Sequence, residues 1–257
     1  MIHLWQPYEA QQTPTITATL LVQSLDSPEL GHQRDVLVYL PPSYASSSRR
    51  YPVVYMQDGQ NLFDSGTSFA GVAWGVHETM AALASEGLEA IVVAVYHANE
   101  QRIAEYTPFP QVWQGRGEHY LRFLTDRLKP LIDHDFRTRA ERDSTGILGS
   151  SMGGLISLYA FFHAAQTFGF AGAMSPSFWV GHGAIYGDVE AAPFVPGKLY
   201  LDNGTREPSV RRMNALLLKK GYRRDVDVKY VVEAEAEHTE SAWARRLPDA
   251  LRFLLPR

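Results

Sequence analysis

The sequence has 257 residues, of which 45% are hydrophobic and 20% charged, a composition ordinary for a globular protein. Its formal net charge of −4 gives no electrostatic reason to expect a nucleic acid or an anionic membrane surface as a partner. The chain contains no cysteine, which excludes disulfides, thiolate metal sites and a cysteine nucleophile.

The residues indicate neither a membrane anchor nor a secretion signal. No stretch approaches the roughly eighteen consecutive apolar residues that a membrane-spanning helix needs. The segment 1–7 has neither the basic region nor the apolar run of a signal peptide. We therefore expect a cytoplasmic protein without membrane contact, and the sequence gives no indication of its oligomeric state.

Strands and helices can be predicted from apolar periodicity and composition along the chain. The predicted strands are 15–23, 35–40, 52–57, 90–96, 144–148, 170–174, 199–201 and 226–232. The predicted helices are 74–85, 118–136, 154–168, 209–220 and 241–255, the last broken near Pro248.

The order of these elements predicts one α/β domain over residues 1–257. The first three strands leave no room for a crossover helix, so the sheet is expected to open antiparallel. Helices and strands then alternate, which favours an eight-stranded, mostly parallel sheet with helices on both faces. The connections 99–117 and 176–197 are expected to be irregular, and neither is long enough for a large helical lid. Both follow strand ends, where open α/β sheets place their sites.

A serine between two glycines is the most informative motif. Residues 149–153 read G-S-S-M-G, with a predicted strand before them and a predicted helix after them. At such a junction the pattern is typical of a nucleophile elbow, in which Ser151 takes a strained backbone conformation. The motif alone is a weak indication, because a tight strand-to-helix turn can have the same composition.

Two later segments supply the partners that a serine nucleophile needs. Asp202 and Glu207 follow the seventh predicted strand, and His238 follows the eighth. A hydrolase on a sheet of this kind carries its nucleophile, acid and base in that chain order. The coincidence of three positions favours a Ser-acid-His triad, with either carboxylate as the acid. The alternative for His238 is a surface histidine among neighbouring glutamates.

Four motifs give the chain a resemblance to the esterase D / enterochelin-esterase-like family of α/β hydrolases, to which feruloyl esterase domains and mycolyltransferases look related. They are D-G-Q at 58–60, the elbow at 149–153, G-T-x-[DE] at 204–207 and H-x-x-x-x-W at 238–243. The resemblance covers the chain from about residue 35 onward, and it implies the α/β-hydrolase fold.

The resemblance also implies roles for individual residues. It places the nucleophile on Ser151, the base on His238 and the acid on Glu207, with Asp202 as the rival acid. The backbone N–H groups of Met152 and Gln60 would form the oxyanion hole.

Aromatic residues are frequent in the two long connections. We expect Tyr106, Trp113, Phe178 and Trp179 to line an apolar substrate pocket, although ordinary packing would explain them equally well. Asp58 is expected beside the same site, in the turn that directs the second oxyanion donor.

Together these features predict a serine carboxylic-ester hydrolase for small to medium acyl or aryl esters, working through an acyl-enzyme. No cofactor is expected, and no metal, because the chain has no H-E-x-x-H motif. Acyl transfer to an alcohol, or siderophore or feruloyl ester hydrolysis, could use the same machinery. A non-catalytic binding protein of the same fold is a further alternative.

Overall fold

Nine strands form a single mixed sheet in the computed structural model, which describes residues 5–11 and 18–256. The strands are β1 (Gln6–Pro7), β2 (Thr19–Ser27), β3 (His32–Leu40), β4 (Val53–Met56), β5 (Ile91–Val95), β6 (Thr145–Ser150), β7 (Phe170–Met174), β8 (Lys198–Gly204) and β9 (Val228–Glu233).

The helices of the described residues follow the same chain order. They are α1 (Val76–Ser85), α2 (Arg102–Glu105), α3 (Gly117–Arg122), α4 (Lys129–Asp135), α5 (Met152–His163), α6 (Val180–Ala191), α7 (Arg211–Lys220) and α8 (Glu240–Leu254). A π-helical stretch, Phe123–Leu128, joins α3 to α4, so the predicted helix 118–136 is nearly continuous. Short 3-10 turns occur at Gly59–Asn61, Phe69–Gly71, Asn99–Gln101 and Arg142–Ser144.

The strand order across the sheet is β1-β2-β3-β5-β4-β6-β7-β8-β9. Strands β1, β2, β3 and β5 pair antiparallel, and every pair from β5 through β4 to β9 is parallel. Parallel pairing brings the carboxyl ends of β6, β7, β8 and β9 to one edge of the sheet. The segments that follow these strands therefore meet there.

The antiparallel opening needs one correction. The predicted strand 52–57 corresponds to β4, which lies between β5 and β6 and is parallel to both. All four β4 side chains are buried, as expected for an interior strand covered on both faces. The predicted strand 15–23 corresponds in part to β2, and its residues 15–17 lie outside the described residues.

Two helix predictions also differ from the structure. The connection 176–197, predicted to be irregular, contains α6. Three consecutive residues with left-handed backbone, Gly181, His182 and Gly183, interrupt this helix near its start. Two of them are glycines, which disfavour a helix, and so the sequence does not predict one here. Helix α8 continues through Pro248, where a break was predicted. An interior proline removes one N–H donor and crowds the carbonyl four residues earlier, but the burial of Trp243, Leu247 and Leu251 stabilises the helix on both sides of it.

Hydrophobic cores cover the sheet on both faces. Successive residues of β4 alternate between them, with Val53 and Tyr55 on one face and Val54 and Met56 on the other. Helices α1 and α8 pack over the second face, while α3 to α7 contribute to the first. This double covering holds the strand ends in fixed register, which fixes the geometry of the segments that follow them.

Candidate active site

The turn between β6 and α5 has the geometry of a nucleophile elbow. Ser151 takes φ 55° and ψ −121°, a conformation that costs a non-glycine residue about 1–3 kcal/mol. Its N–H donates to the Met174 carbonyl at 2.9 Å, which ties the turn to β7. A Cβ at Gly149 would lie 2.7 Å from the Gly153 carbonyl carbon, so the close approach of strand and helix requires glycine there.

His238 lies between Glu207 and Ser151, within hydrogen-bond distance of both. His238 Nδ1 is 2.7 Å from Glu207 Oε2, and His238 Nε2 is 2.9 Å from Ser151 Oγ. An ionised carboxylate can only accept, so Nδ1 carries the proton and Nε2 accepts from the serine hydroxyl. This is the arrangement in which a histidine can remove a proton from a serine.

The environment of Glu207 keeps its carboxylate charged. Burial would raise its pKa, but hydrogen bonds from His238, the Gly204 N–H and the Ser175 hydroxyl outweigh burial and hold the pKa below the usual value. Oε1 accepts from Ser175 Oγ at 2.7 Å and from the Gly204 N–H at 2.5 Å. Oε2 is therefore the oxygen that faces the imidazole.

Asp202, the rival acid, faces away from His238. Its Oδ1 accepts from the Ser175 N–H at 2.9 Å, and its Oδ2 lies 3.0 Å from Arg246 Nε. Burial at the end of β8 raises the pKa of Asp202 to about 6, although Arg246 opposes the shift. Of the two carboxylates offered by the sequence, the structure brings only Glu207 to the imidazole.

The two expected oxyanion donors are the backbone N–H groups of Met152 and Gln60. Met152 begins α5, where free N–H groups and the helix dipole favour an anion. Gln60 lies in the turn Gly59–Asn61, and its side-chain Oε1 accepts from the His97 N–H at 3.3 Å. Within the described part of the chain, neither backbone N–H donates to a protein acceptor.

Ser151 and His238 open into a cavity of about 640 Å³. Its apolar lining comes from Phe69, Ala70, Val72 and Trp243, and its charged lining from Asp58, Arg102 and Glu240. Arg102 donates to both oxygens of Asp58, at 2.7 and 2.8 Å. The charge of Arg102 is therefore balanced within the protein. Asp58 borders the cavity.

The predicted aromatic wall needs correction. Tyr106 is fully buried, and its hydroxyl accepts a hydrogen bond from the Asp58 N–H. It therefore does not line the cavity beside Ser151. Phe178 and Trp179 line a second cavity of about 400 Å³ instead. Trp113 is 51% exposed and packs edge-on against Trp179 at 6.1 Å. The aromatic composition of a connection carries no information about which way each ring points.

Several site residues carry no signal in the sequence motifs. Ser177 Oγ lies 3.1 Å from Ser151 Oγ, and Glu240 accepts from Trp74 Nε1 at 2.6 Å. Arg246 lies buried in α8 beside the acids. One pattern could have indicated it, because Arg246 occupies the apolar face of the helix between Trp243 and Leu247.

Among residues 5–11 and 18–256, no three side chains of His, Asp or Glu are arranged to hold a metal ion. No helix in the described ranges has both the length and the apolar character to cross a membrane.

Fold and site together define a hydrolase of the α/β class. Residues 27–254 match the family model Esterase, described as "Putative esterase". The match covers most of the chain, so the protein belongs to the Esterase family, and it is an esterase-type hydrolase.

Three similar proteins extend this result. The "Uncharacterized protein YbbA" of Bacillus subtilis (strain 168) is 28% identical over 253 residues, which cover 90% of this chain and 96% of that protein. The "Endo-1,4-beta-xylanase/feruloyl esterase" of Xylanibacter ruminicola is 26% identical over 153 residues, covering 58% of this chain and 20% of that protein. The crystal structure of the enterobactin esterase FES from Shigella flexneri superposes with a TM-score of 0.73 at 21% identity.

That superposition covers 93% of this chain and 59% of the Shigella flexneri esterase, so this chain spans about three fifths of its length. At this level of identity the likeness concerns the fold, and it confirms the predicted α/β-hydrolase architecture.

Proposed function

We propose that the protein is a serine carboxylic-ester hydrolase in which Ser151 is the nucleophile, His238 the general base and Glu207 the acid. One observation carries this proposal: the unbroken hydrogen-bonded chain Glu207–His238–Ser151, with distances of 2.7 and 2.9 Å. It ends on a serine whose strained backbone directs the hydroxyl into a cavity.

The reaction follows from the donors and acceptors in this chain. His238 Nε2 takes the proton of the Ser151 hydroxyl as Oγ attacks the ester carbonyl. The Met152 and Gln60 N–H groups stabilise the oxyanion, and the Glu207 carboxylate stabilises the imidazolium. The imidazolium then protonates the departing alcohol. Water activated by the same histidine hydrolyses the acyl-enzyme and regenerates Ser151.

The cavity supports small to medium acyl or aryl esters as substrates. Its volume of about 640 Å³ lies within the range of small-molecule sites, and its walls include Phe69, Val72 and Trp243. Because similar proteins include an enterobactin esterase and a feruloyl esterase, siderophore and feruloyl esters are narrower alternatives for the substrate. Acyl transfer would be recognised by transesterified product when glycerol is added.

Two serine variants test the proposal with p-nitrophenyl butyrate as substrate. Ser151→Ala removes the nucleophile, and we expect kcat to fall by roughly four to six orders of magnitude. Ser177→Ala is the matched control, because its hydroxyl lies 3.1 Å from that of Ser151 but has no hydrogen bond to His238. We expect it to retain kcat within about tenfold, the effect of one hydrogen bond.

A Ser151→Ala enzyme that keeps kcat within about tenfold of the wild type would overturn the proposal. So would a Ser177→Ala enzyme that loses the larger share of activity, because the nucleophile would then be the wrong serine.

A further inference from the structure

We propose that Arg246, acting through Ser175, is a positioning residue that keeps Glu207 ionised and directed at His238. The inference rests on the proposed function of the Glu207–His238–Ser151 chain. Arg246 itself touches neither His238 nor Ser151 in the described contacts, so its effect on the reaction passes through the acid.

Arg246 is a buried cation among three carboxylates. Its Nη1 donates to Glu233 Oε2 at 2.8 Å, and its Nε lies 3.0 Å from Asp202 Oδ2. Neither Nε nor Oδ2 has a hydrogen-bond partner within the described ranges, so their contact is an ion pair without hydrogen-bond geometry. Its Nη2 lies 3.7 Å from Glu207 Oε1. The guanidinium is thus the counter-ion shared by the acid of the triad and its neighbours.

Ser175 links Arg246 to Glu207 and fixes the orientation of the Glu207 carboxylate. Its hydroxyl oxygen accepts from Arg246 Nη2 at 2.7 Å and from Trp243 Nε1 at 2.9 Å. Because both donors point at the oxygen, the single hydroxyl proton is left for Glu207 Oε1, 2.7 Å away. Oε1 also accepts the Gly204 N–H, so the carboxylate cannot rotate without losing two hydrogen bonds. Oε2 is thereby held toward the imidazole.

The charged and titratable groups around Glu207 make its ionisation depend on Arg246. Asp202 on β8, Glu233 on β9 and His238 in the following loop face the cluster, with the Tyr200 hydroxyl beside Asp202. On α8, Arg245 pairs with Glu233 at the surface. Without Arg246, the buried carboxylates of Asp202 and Glu207 would lose their shared counter-ion, and the ionisation of each would become less favourable.

The test combines Arg246→Met with Glu207→Gln, measured with p-nitrophenyl butyrate across pH. Arg246→Met alone should lower kcat toward the value of Glu207→Gln, a loss of about 10³–10⁴ for a histidine without its charged partner. The acid limb of kcat/KM should move to higher pH, because Glu207 ionises less readily. When Arg246→Met is added to Glu207→Gln, kcat should fall by less than about threefold relative to Glu207→Gln alone.

Three further variants complete the design. Arg245→Met, on the neighbouring residue of the same helix, removes a contact to Glu233 but none to Glu207, and should leave both kcat and the acid limb unchanged. Arg246→Lys keeps the charge and should hold the acid limb in place. Ser175→Ala should lower kcat about tenfold in the wild-type background and not at all in Glu207→Gln.

The inference would be overturned if Arg246→Met lowered kcat by the same factor in Glu207→Gln as in the wild type. It would also be overturned if the acid limb of kcat/KM in Arg246→Met stayed at the wild-type pH. If Arg246→Met does not fold by circular dichroism, the Ser175→Ala pair gives the same decision. Failure of the proposed function is distinguishable, because Ser151→Ala would then remain active whatever Arg246 does.

Discussion

At the scale of single residues, the site shifts the pKa values of two neighbouring carboxyl groups, those of Glu207 and Asp202, in opposite directions. Hydrogen bonds from His238, Gly204 and Ser175 hold the pKa of Glu207 low against the effect of burial. Burial raises the pKa of Asp202 to about 6, despite the ion pair with Arg246. The group beside the imidazole is therefore the one that stays charged in mild acid. Separating two carboxyl groups by their surroundings is a recurrent way of assigning them different roles.

Opposite pKa shifts predict opposite pH dependences of stability. The low pKa of Glu207 adds free energy of unfolding above its unfolded-state pKa near 4.5, and this contribution is lost as pH falls through the folded pKa. The raised pKa of Asp202 adds stability below its unfolded-state value of 3.8, and this is lost as pH rises through about 6. Both contributions can be measured by urea unfolding of the wild type, Glu207→Gln and Asp202→Asn at pH values from about 3.5 to about 7.

Relative to Glu207→Gln, the wild type should lose stability as the pH falls below 4.5. Relative to Asp202→Asn, it should lose stability as the pH rises from about 4 to 6. Each variant serves as the control for the other, and two slopes of the same sign would contradict the assigned environments.

At the scale of elements, the strand β6, the elbow and the helix α5 act as one unit. Ser151 can keep its left-handed φ only because Gly149 and Gly153 let the strand, the helix and Gln57 approach closely. The same geometry makes Met152, the residue after Ser151, the first residue of α5. A change in the glycines should therefore disturb both stability and catalysis.

Gly149→Ala tests this coupling. Its Cβ would lie 2.7 Å from both the Gly153 carbonyl carbon and Gln57 Cγ, and we expect a loss of about 1–3 kcal/mol in unfolding free energy, together with lower kcat. Gly187→Ala on α6 is the control, because nothing lies within 4 Å of its Cβ position. This change should stabilise the protein by up to about 1 kcal/mol with kcat unchanged. Thermal unfolding and kcat of both variants decide the matter.

The elements differ in how far the sequence predicts them. Long apolar runs such as β5 and amphipathic helices such as α7 follow directly from their patterns. Strand β1 has two residues, one of them Pro7, and no local pattern could reveal it. Helix α6 is not predictable from its sequence, because its first turns contain two glycines and three consecutive residues with left-handed backbone at 181–183. The neighbours of β4 were not predictable, because strand order depends on crossovers and not on local composition.

At the scale of the whole molecule, chain order predicts the catalytic candidates because topology is simple. Parallel strands β6, β8 and β9 end at one edge, so the segments after them converge whatever their exact lengths. Side-chain direction is not predictable in this way. Glu207 could be separated from Asp202 only by resemblance, Tyr106 was expected at the cavity although it is buried, and Arg246 left only an indirect signal in α8.

The central claim is that Ser151 forms a covalent acyl-enzyme in the hydrolysis of esters. Its most direct test is to react the protein with a fluorophosphonate probe and locate the adduct by mass spectrometry of the digested chain. One adduct is expected, on Ser151, and it should be absent from Ser151→Ala and from enzyme unfolded in urea. An adduct on Ser177 or Ser150, or no adduct on folded and active enzyme, would contradict the account.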